Sequence, residues 1–248
     1  MSRRFGEEGG GLSYGTYLKV AELLSLQQGL SKEHDELLFV VAHQVYELWF
    51  KLVLFELEAA RDRIDADDIF FARHYLRRVH VVERLLIEQI EVLETMSPQD
   101  FLAFRSQLAP ASGFQSVQFR EIEFLSGLKE PKYLARVEAT PEEAARLRRR
   151  LDEPSLDDAF RSLVERRGSL SLVEVFRDRE RHGDLFDLCE ALLDHDEAFA
   201  HWRARHVLMV ERQIGGKTGT GGSSGAEYLR TTLDKRFYPE LWEVSSQL

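Results

Sequence analysis

The chain has one cysteine in 248 residues, only six prolines, and no excess of basic charge. Cys189, alone in the largely apolar run Leu185 to Leu193, can form no disulfide within the chain and makes no CxxC metal site, which fits a reducing compartment. Thirty-three Lys and Arg against 43 Asp and Glu leave a net charge of −10, with arginines interspersed among the acids. There is no basic stripe for phosphates, so nucleic acid is not expected as a partner. No apolar run approaches the roughly eighteen residues of a membrane span, and the start, MSRRFGEEGGGLSYG, lacks the apolar centre of a signal peptide. A soluble, cytoplasmic protein is predicted. Strand patterns of useful length and internal repeats are also lacking, which leaves an all-α fold.

What is present is helical period. Between Asp35 and Ile64, Leu38, Val41, Val45, Leu48, Leu52 and Phe55 recur at threes and fours, and Val79, Leu85, Leu86, Ile90 and Leu93 do so between Ala72 and Met96. The acidic turn Asp65 to Asp68 joins the two runs, predicting an antiparallel hairpin of long helices. Ser97-Pro98-Gln99-Asp100 and Thr140-Pro141-Glu142-Glu143 each set a capping hydroxyl, a first-position proline and a first-turn carboxylate, so helices start there. Pro110 to Ser116 cannot be regular helix, because a proline, a glycine and two competing hydroxyls cluster in it. A further long helix is predicted from Leu185 to Ile214, stopping at Gly215-Gly216, and a last one from Ala226 to about Arg236. The length suits one domain, 1–248, with an N-terminal arm and short helix over 1–30 and a Gly-rich loop over 216–225.

Eight histidines invite a search for a metal. Neither HExxH nor ExxH occurs, which disfavours zincins and ferritin-like di-iron sites. His43 with Glu47, and Glu197 with His201, share helix faces at i,i+4, the spacing of solvated neighbours or of part of a two-histidine, one-carboxylate site. His206 lies among Trp202, Val207 and Val210, surroundings that suit either core packing or a flat porphyrin with one axial imidazole. Phe39 with His43, and Phe101 with Arg105, couple an aromatic ring to one polar group. That pairing is common in helices generally, and is also what an aromatic amino acid needs: rings around the side chain and a guanidinium on the carboxylate. The Gly-rich segment 216–225 follows a helix instead of opening one after a strand, so neither Rossmann nor P-loop geometry is available. It is a linker or a mobile lid, and Thr220 is its most useful polar side chain.

Four blocks, LSYGTYL near the start, HDELLFVVAHQVYELWFK at 34–51, FLAFRSQLAPASGFQSVQFREIEF at 101–124 and WRARHVLMVERQIGGKTGTGGSSGAEYLR at 202–230, resemble the signature blocks of the tryptophan 2,3-dioxygenase family in order and spacing. The stretch 130–195 is the long part without a match. The resemblance implies a helical bundle enclosing a haem b, with His206 in RHVLMVER as the axial ligand of the haem iron and His43 in FVVAHQ as the distal histidine. It implies further that Phe39 and Phe101 wall the indole pocket, that Arg105 pairs with the substrate carboxylate, and that Thr220 contacts the amino-acid end. Ser112 and Gly113 would line the distal face. Tyr14, Tyr17 and Leu18 would belong to a segment exchanged between subunits, reaching the neighbour's site in a homotetramer built as a dimer of dimers. The expected reaction inserts O2 across the C2–C3 bond of L-tryptophan to give N-formyl-L-kynurenine.

Two departures stand out: the chain reads as shorter than most members, with the loss around 130–180, and Phe101 stands where many bacterial members have tyrosine. The first leaves open a haem monooxygenase acting on a substituted tryptophan in a biosynthetic pathway, and a helical binding or sensor protein remains a third reading. The indole N–H is less acidic than imidazolium by on the order of ten pKa units, each about 1.4 kcal/mol, so His43 is expected to orient the indole instead of deprotonating it.

Overall fold

A computed structural model describes residues 12–135 and 139–248; the first part of the expected arm, 1–11, lies outside these. The described residues form helices and turns with no strand among them. In chain order the helices are α1 (Tyr14–Tyr17), α2 (Val20–Leu23), α3 (His34–Asp65), α4 (Ile69–Glu94), α5 (Pro98–Leu108) and α6 (Val117–Ser126). They continue with α7 (Pro141–Asp152), α8 (Leu156–Arg166), α9 (Leu172–Arg177), α10 (Gly183–Ile214), α11 (Ala226–Arg230) and α12 (Pro239–Val244).

The expected hairpin is α3 and α4, which pack along their lengths, and α10 lies against α4 as the third long helix. In the turn between α3 and α4, Asp67 takes a left-handed backbone (φ 58), a conformation short polar side chains tolerate. Asp68 then caps α4 by accepting from the Phe71 amide. Val53, Leu57 and Ile64 of α3, Leu76, Val79 and Ile90 of α4, and Leu188, Leu192 and Phe199 of α10 are buried in one apolar cluster. Each such side chain contributes roughly 1.5–3 kcal/mol by leaving water. A smaller cluster of Val117, Phe124, Tyr133 and Leu147 sits under α6 and α7.

Both predicted capping hydroxyls cap their helices. The Asp100 amide donates to Ser97 Oγ at 3.2 Å, and the Glu143 amide donates to Thr140 Oγ1 at 3.2 Å. The helix expected to run from Ala226 to about Arg236 ends instead at Arg230. The hydroxyls of Thr231 and Thr232 turn back onto the Tyr228 and Leu229 carbonyls at 2.7 Å each, taking acceptors that the helix would use. The chain then turns into α12, with Pro239 at its first position.

One expectation fails in α3, which is long and apolar enough to cross a membrane by length and composition. Its polar members nonetheless have protein partners: Gln44 donates to the Leu26 carbonyl at 3.0 Å, and Glu47 accepts from Ser116 Oγ at 2.6 Å. One face of α3, carrying Leu37, Val41, Leu48 and Phe55, is exposed in the single chain.

Candidate active site

A cavity of about 270 Å³ opens between the first half of α3, the second half of α10, α5, α6 and the loop 215–225. His43 and His206 both line it, one from α3 and one from α10. His43 Nδ1 lies 2.7 Å from the Phe39 carbonyl. A carbonyl only accepts, so Nδ1 carries the proton and Nε2 is left as a lone pair. Burial holds this imidazole below its ordinary value, against the smaller opposing pull of the Phe39 carbonyl and Glu47.

His206 lies flat against the Trp202 indole, ring centroids 4.9 Å apart and 16° from parallel, because the two stand one helical turn apart. Burial pushes its pKa down to about 4, and the neighbouring His43 adds to the shift. It is therefore neutral at physiological pH, and no hydrogen bond from its ring to another described residue is found. A neutral imidazole with a free nitrogen beside a cavity is the donor a metal centre requires.

Aromatic rings form the next wall. Phe39 contacts the His43 ring at 4.0 Å and Phe101 at 5.7 Å, and Phe104 meets both phenylalanines edge-on. Arg105, one turn from Phe101, also lines the cavity, and its Nη2 donates to the Thr218 carbonyl. Thr220 Oγ1 donates to the Ala111 carbonyl at 2.6 Å, and a Cβ placed on Gly221 would sit 2.7 Å from Ser112 Cβ. Segment 215–225 is thus folded against the 110–113 loop, and its Gly219, Thr220, Ser223 and Gly225 line the cavity. Ser112 and Gly113 border the cavity, and a Cβ on Gly113 would meet only open space. Tyr14, Tyr17 and Leu18 stand exposed on the surface, outside the cavity of their own chain. The Glu197–His201 pair is a solvated contact at 3.8 Å.

The deep end of the cavity is polar. Arg120 donates to Glu123 Oε2 at 2.5 Å, Arg203 donates to Glu123 Oε1 at 3.0 Å, and the Arg120 guanidinium lies 4.0 Å from the Tyr133 ring centroid. Two arginines on one carboxylate leave this buried group with net positive charge. Glu47 accepts from Ser116 and Gln118, placing a second carboxylate beside His43.

The sequence matches the family model described as tryptophan 2,3-dioxygenase over residues 2–171 and 143–248. It is 54% identical to the tryptophan 2,3-dioxygenase of Nocardioides sp. (strain ATCC BAA-499 / JS614), over 98% of this chain and 97% of that protein. Identity is 45% to the enzyme of that name from Herpetosiphon aurantiacus, covering 96% and 98% of the two chains, and 42% to the one from Myxococcus xanthus, covering 96% and 90%. The chain belongs to the tryptophan 2,3-dioxygenase family.

The matches with these tryptophan 2,3-dioxygenases run over 260, 261 and 263 positions, more than the 248 residues of this chain, so the chain lacks internal residues that they have. The two matched stretches, 2–171 and 143–248, overlap within the region 130–180 where the loss was expected, and the names of these relatives favour the dioxygenase over the divergent reaction. Sequence reasoning missed the Arg120–Glu123–Arg203 cluster, because α6 follows directly on a loop and its ten residues bury both faces. The signal was Ser116, which caps that helix by accepting from the Phe119 amide at 3.2 Å.

Proposed function

We propose that this chain is a haem-dependent tryptophan 2,3-dioxygenase, inserting both atoms of O2 across the indole C2–C3 bond of L-tryptophan to give N-formyl-L-kynurenine. The observation that carries the reading is the pairing, across one largely apolar cavity, of a free neutral imidazole, His206, with a second imidazole, His43, whose tautomer is set by the Phe39 carbonyl. These residues fit a haem b: His206 would hold its iron through a ring nitrogen, the aromatic walls would suit the porphyrin and the indole, and Gly113 leaves room for a flat group. When bound, the haem supplies the oxygen chemistry. The chain's residues position, orient and exclude water.

Phe39 and Phe101 hold the indole between rings. His43 Nε2 accepts the indole N–H, a neutral hydrogen bond that fixes the ring without removing its proton. Arg105 forks onto the substrate carboxylate and Thr220 contacts the amino end, both exchanging their present contacts with Thr218 and Ala111 for the ligand. Ser112 and Gly113 line the distal side, and the lid keeps water from the reacting atoms.

Tyr14, Tyr17 and Leu18 complete the site of a second copy, which accounts for large side chains left on the surface. The exposed Leu37, Val41, Leu48 and Phe55 stripe of α3 is likewise covered in a homotetramer, a dimer of dimers. The enzyme is a single domain, 1–248, with an arm at 1–30 and an active-site loop at 216–225, and it works in the cytoplasm.

The ligand and orienting roles separate on substitution. His206→Ala loses stable haem binding, read from the Soret band, whereas His43→Ala keeps haem and loses turnover by about tenfold, the worth of one neutral hydrogen bond. Full haem occupancy with the native spectrum in His206→Ala contradicts the ligand assignment.

A further inference from the structure

Met96 stands at the corner between α4 and α5, one residue before the Ser97 cap, and is buried. Among the described residues its carbonyl receives no backbone hydrogen bond. Gln213, in the last turn of α10, supplies the missing donor. Its Nε2 donates to the Met96 carbonyl at 2.7 Å and, more loosely, to the Leu93 carbonyl in the last turn of α4 at 3.4 Å. Carbonyls only accept, so the amide nitrogen and not the amide oxygen must face this pair. A buried carbonyl without a donor is costly, which makes the glutamine the clasp of the corner.

The corner bears on the cavity through the segments that leave it. Gln213 follows His206 by seven residues, two turns along one face of α10, and both line the cavity. From the corner starts α5, which carries Phe101 and Arg105 and in which only Phe104 is buried. With so little embedding, the direction of α5 depends on how its start is held. Two residues past Gln213 begins the loop 215–225, whose Thr218 carbonyl accepts from Arg105. At about 1.5 Å per residue, Phe101 stands about 6 Å and Arg105 about 12 Å beyond Ser97, so a tilt at the corner moves the guanidinium about twice as far as the ring. A ring contact tolerates such a shift, whereas a forked pair needs both nitrogens in place.

We propose that Gln213 is a positioning residue for the substrate carboxylate: by holding the α4–α5 corner against α10 it sets the direction of α5, and with it the place of Arg105 relative to His206. The proposal rests on the reading that Arg105 takes the carboxylate. Gln213 acts through that arginine and needs no contact with the substrate.

The test compares Gln213→Met, which keeps length and bulk but donates nothing, with Gln213→Lys, whose ammonium can donate to the same carbonyls at a helix C-terminus. In the haem-loaded protein, titrated through the Soret band, Gln213→Met is expected to weaken L-tryptophan about tenfold, the scale of losing one arm of the fork. KM should rise by as much with kcat little changed. Tryptamine, which lacks the carboxylate, should change by less than about twofold. Lysine should recover most of the tryptophan affinity. Combined with Arg105→Ala, Gln213→Met should add no further loss, because both act on one contact. A lowered melting temperature with native tryptophan affinity would make the clasp merely structural and overturn the proposal, as would equal losses for both ligands or additive losses in the double variant. Should methionine prevent folding, Gln213→Asn, whose amide falls one carbon short of the corner, is judged by the same criteria. Unchanged tryptophan affinity in Arg105→Ala alone would remove the carboxylate assignment beneath the proposal, whereas a full Arg105 effect beside a native Gln213→Met would leave that assignment and remove only the role of Gln213.

Discussion

At the scale of single residues, Arg105 carries the sharpest expectation. It faces the cavity one turn from Phe101 and spends a donor on the Thr218 carbonyl of the lid. Removing one partner of a desolvated guanidinium–carboxylate pair costs roughly 2 to 5 kcal/mol. Arg105→Ala should therefore weaken L-tryptophan binding by about two orders of magnitude, measured as the shift of the Soret band with ligand concentration. Lysine should restore only part, since a point charge cannot fork. Tryptamine, which lacks the carboxylate, should be little affected; equal losses for both ligands would mean that the arginine only holds the lid. His43 gives a pH expectation. Its pKa is held below the ordinary imidazole value of about 6.5, chiefly by burial, so the accepting neutral form persists as pH falls past that value. The acid limb of kcat/KM should lie below about 6.5 and be absent in His43→Ala. A limb unchanged by the substitution would assign it to another group.

At the scale of elements, the loop 215–225 is the testable unit. Gly221 packs so closely on Ser112 that an added Cβ cannot be accommodated at 2.7 Å, whereas a Cβ on Gly216 meets nothing. Overpacking costs typically 1–3 kcal/mol. Gly221→Ala should therefore lower kcat/KM about tenfold with little change in melting temperature, and Gly216→Ala should do neither. Equal effects would show that the loop does not close where the structure places it. Element legibility followed from the same physics. The three long helices were readable because each repeats apolar residues at helical period over many turns, and α5 and α7 because a hydroxyl, a proline and a carboxylate announce them. Helices α8 and α9 were missed, although Ser155 with Asp158 and Ser171 with Glu174 form the same capping box without the proline. The final helix was overdrawn because nothing in its period betrays two threonine hydroxyls turning back on its carbonyls.

At the scale of the whole molecule, the cavity draws on helices distant in sequence, so residue identity and grouping were legible to different degrees. Periodicity paired Phe39 with His43 and Phe101 with Arg105, but it could not say that α3 and α10 turn their imidazoles toward one space. The resemblance carried that expectation. The buried cluster around Glu123 and the buried Glu83 were illegible, because charges in a helical pattern read as solvated until the packing is known. The exposed stripe of α3 and the surface tyrosines of α1 predict assembly. Sedimentation should give a particle of four 28.7 kDa chains, and Leu48→Glu with Phe55→Glu should split it. A monomer of the unaltered chain at micromolar concentration would contradict the shared site. The most direct test of the whole account is one incubation of haem-loaded protein with L-tryptophan and isotopically labelled dioxygen, read by product mass. The account predicts N-formyl-L-kynurenine carrying both labelled atoms; a product with one labelled atom, or substrate returned unchanged from a protein that binds haem and tryptophan, would contradict it.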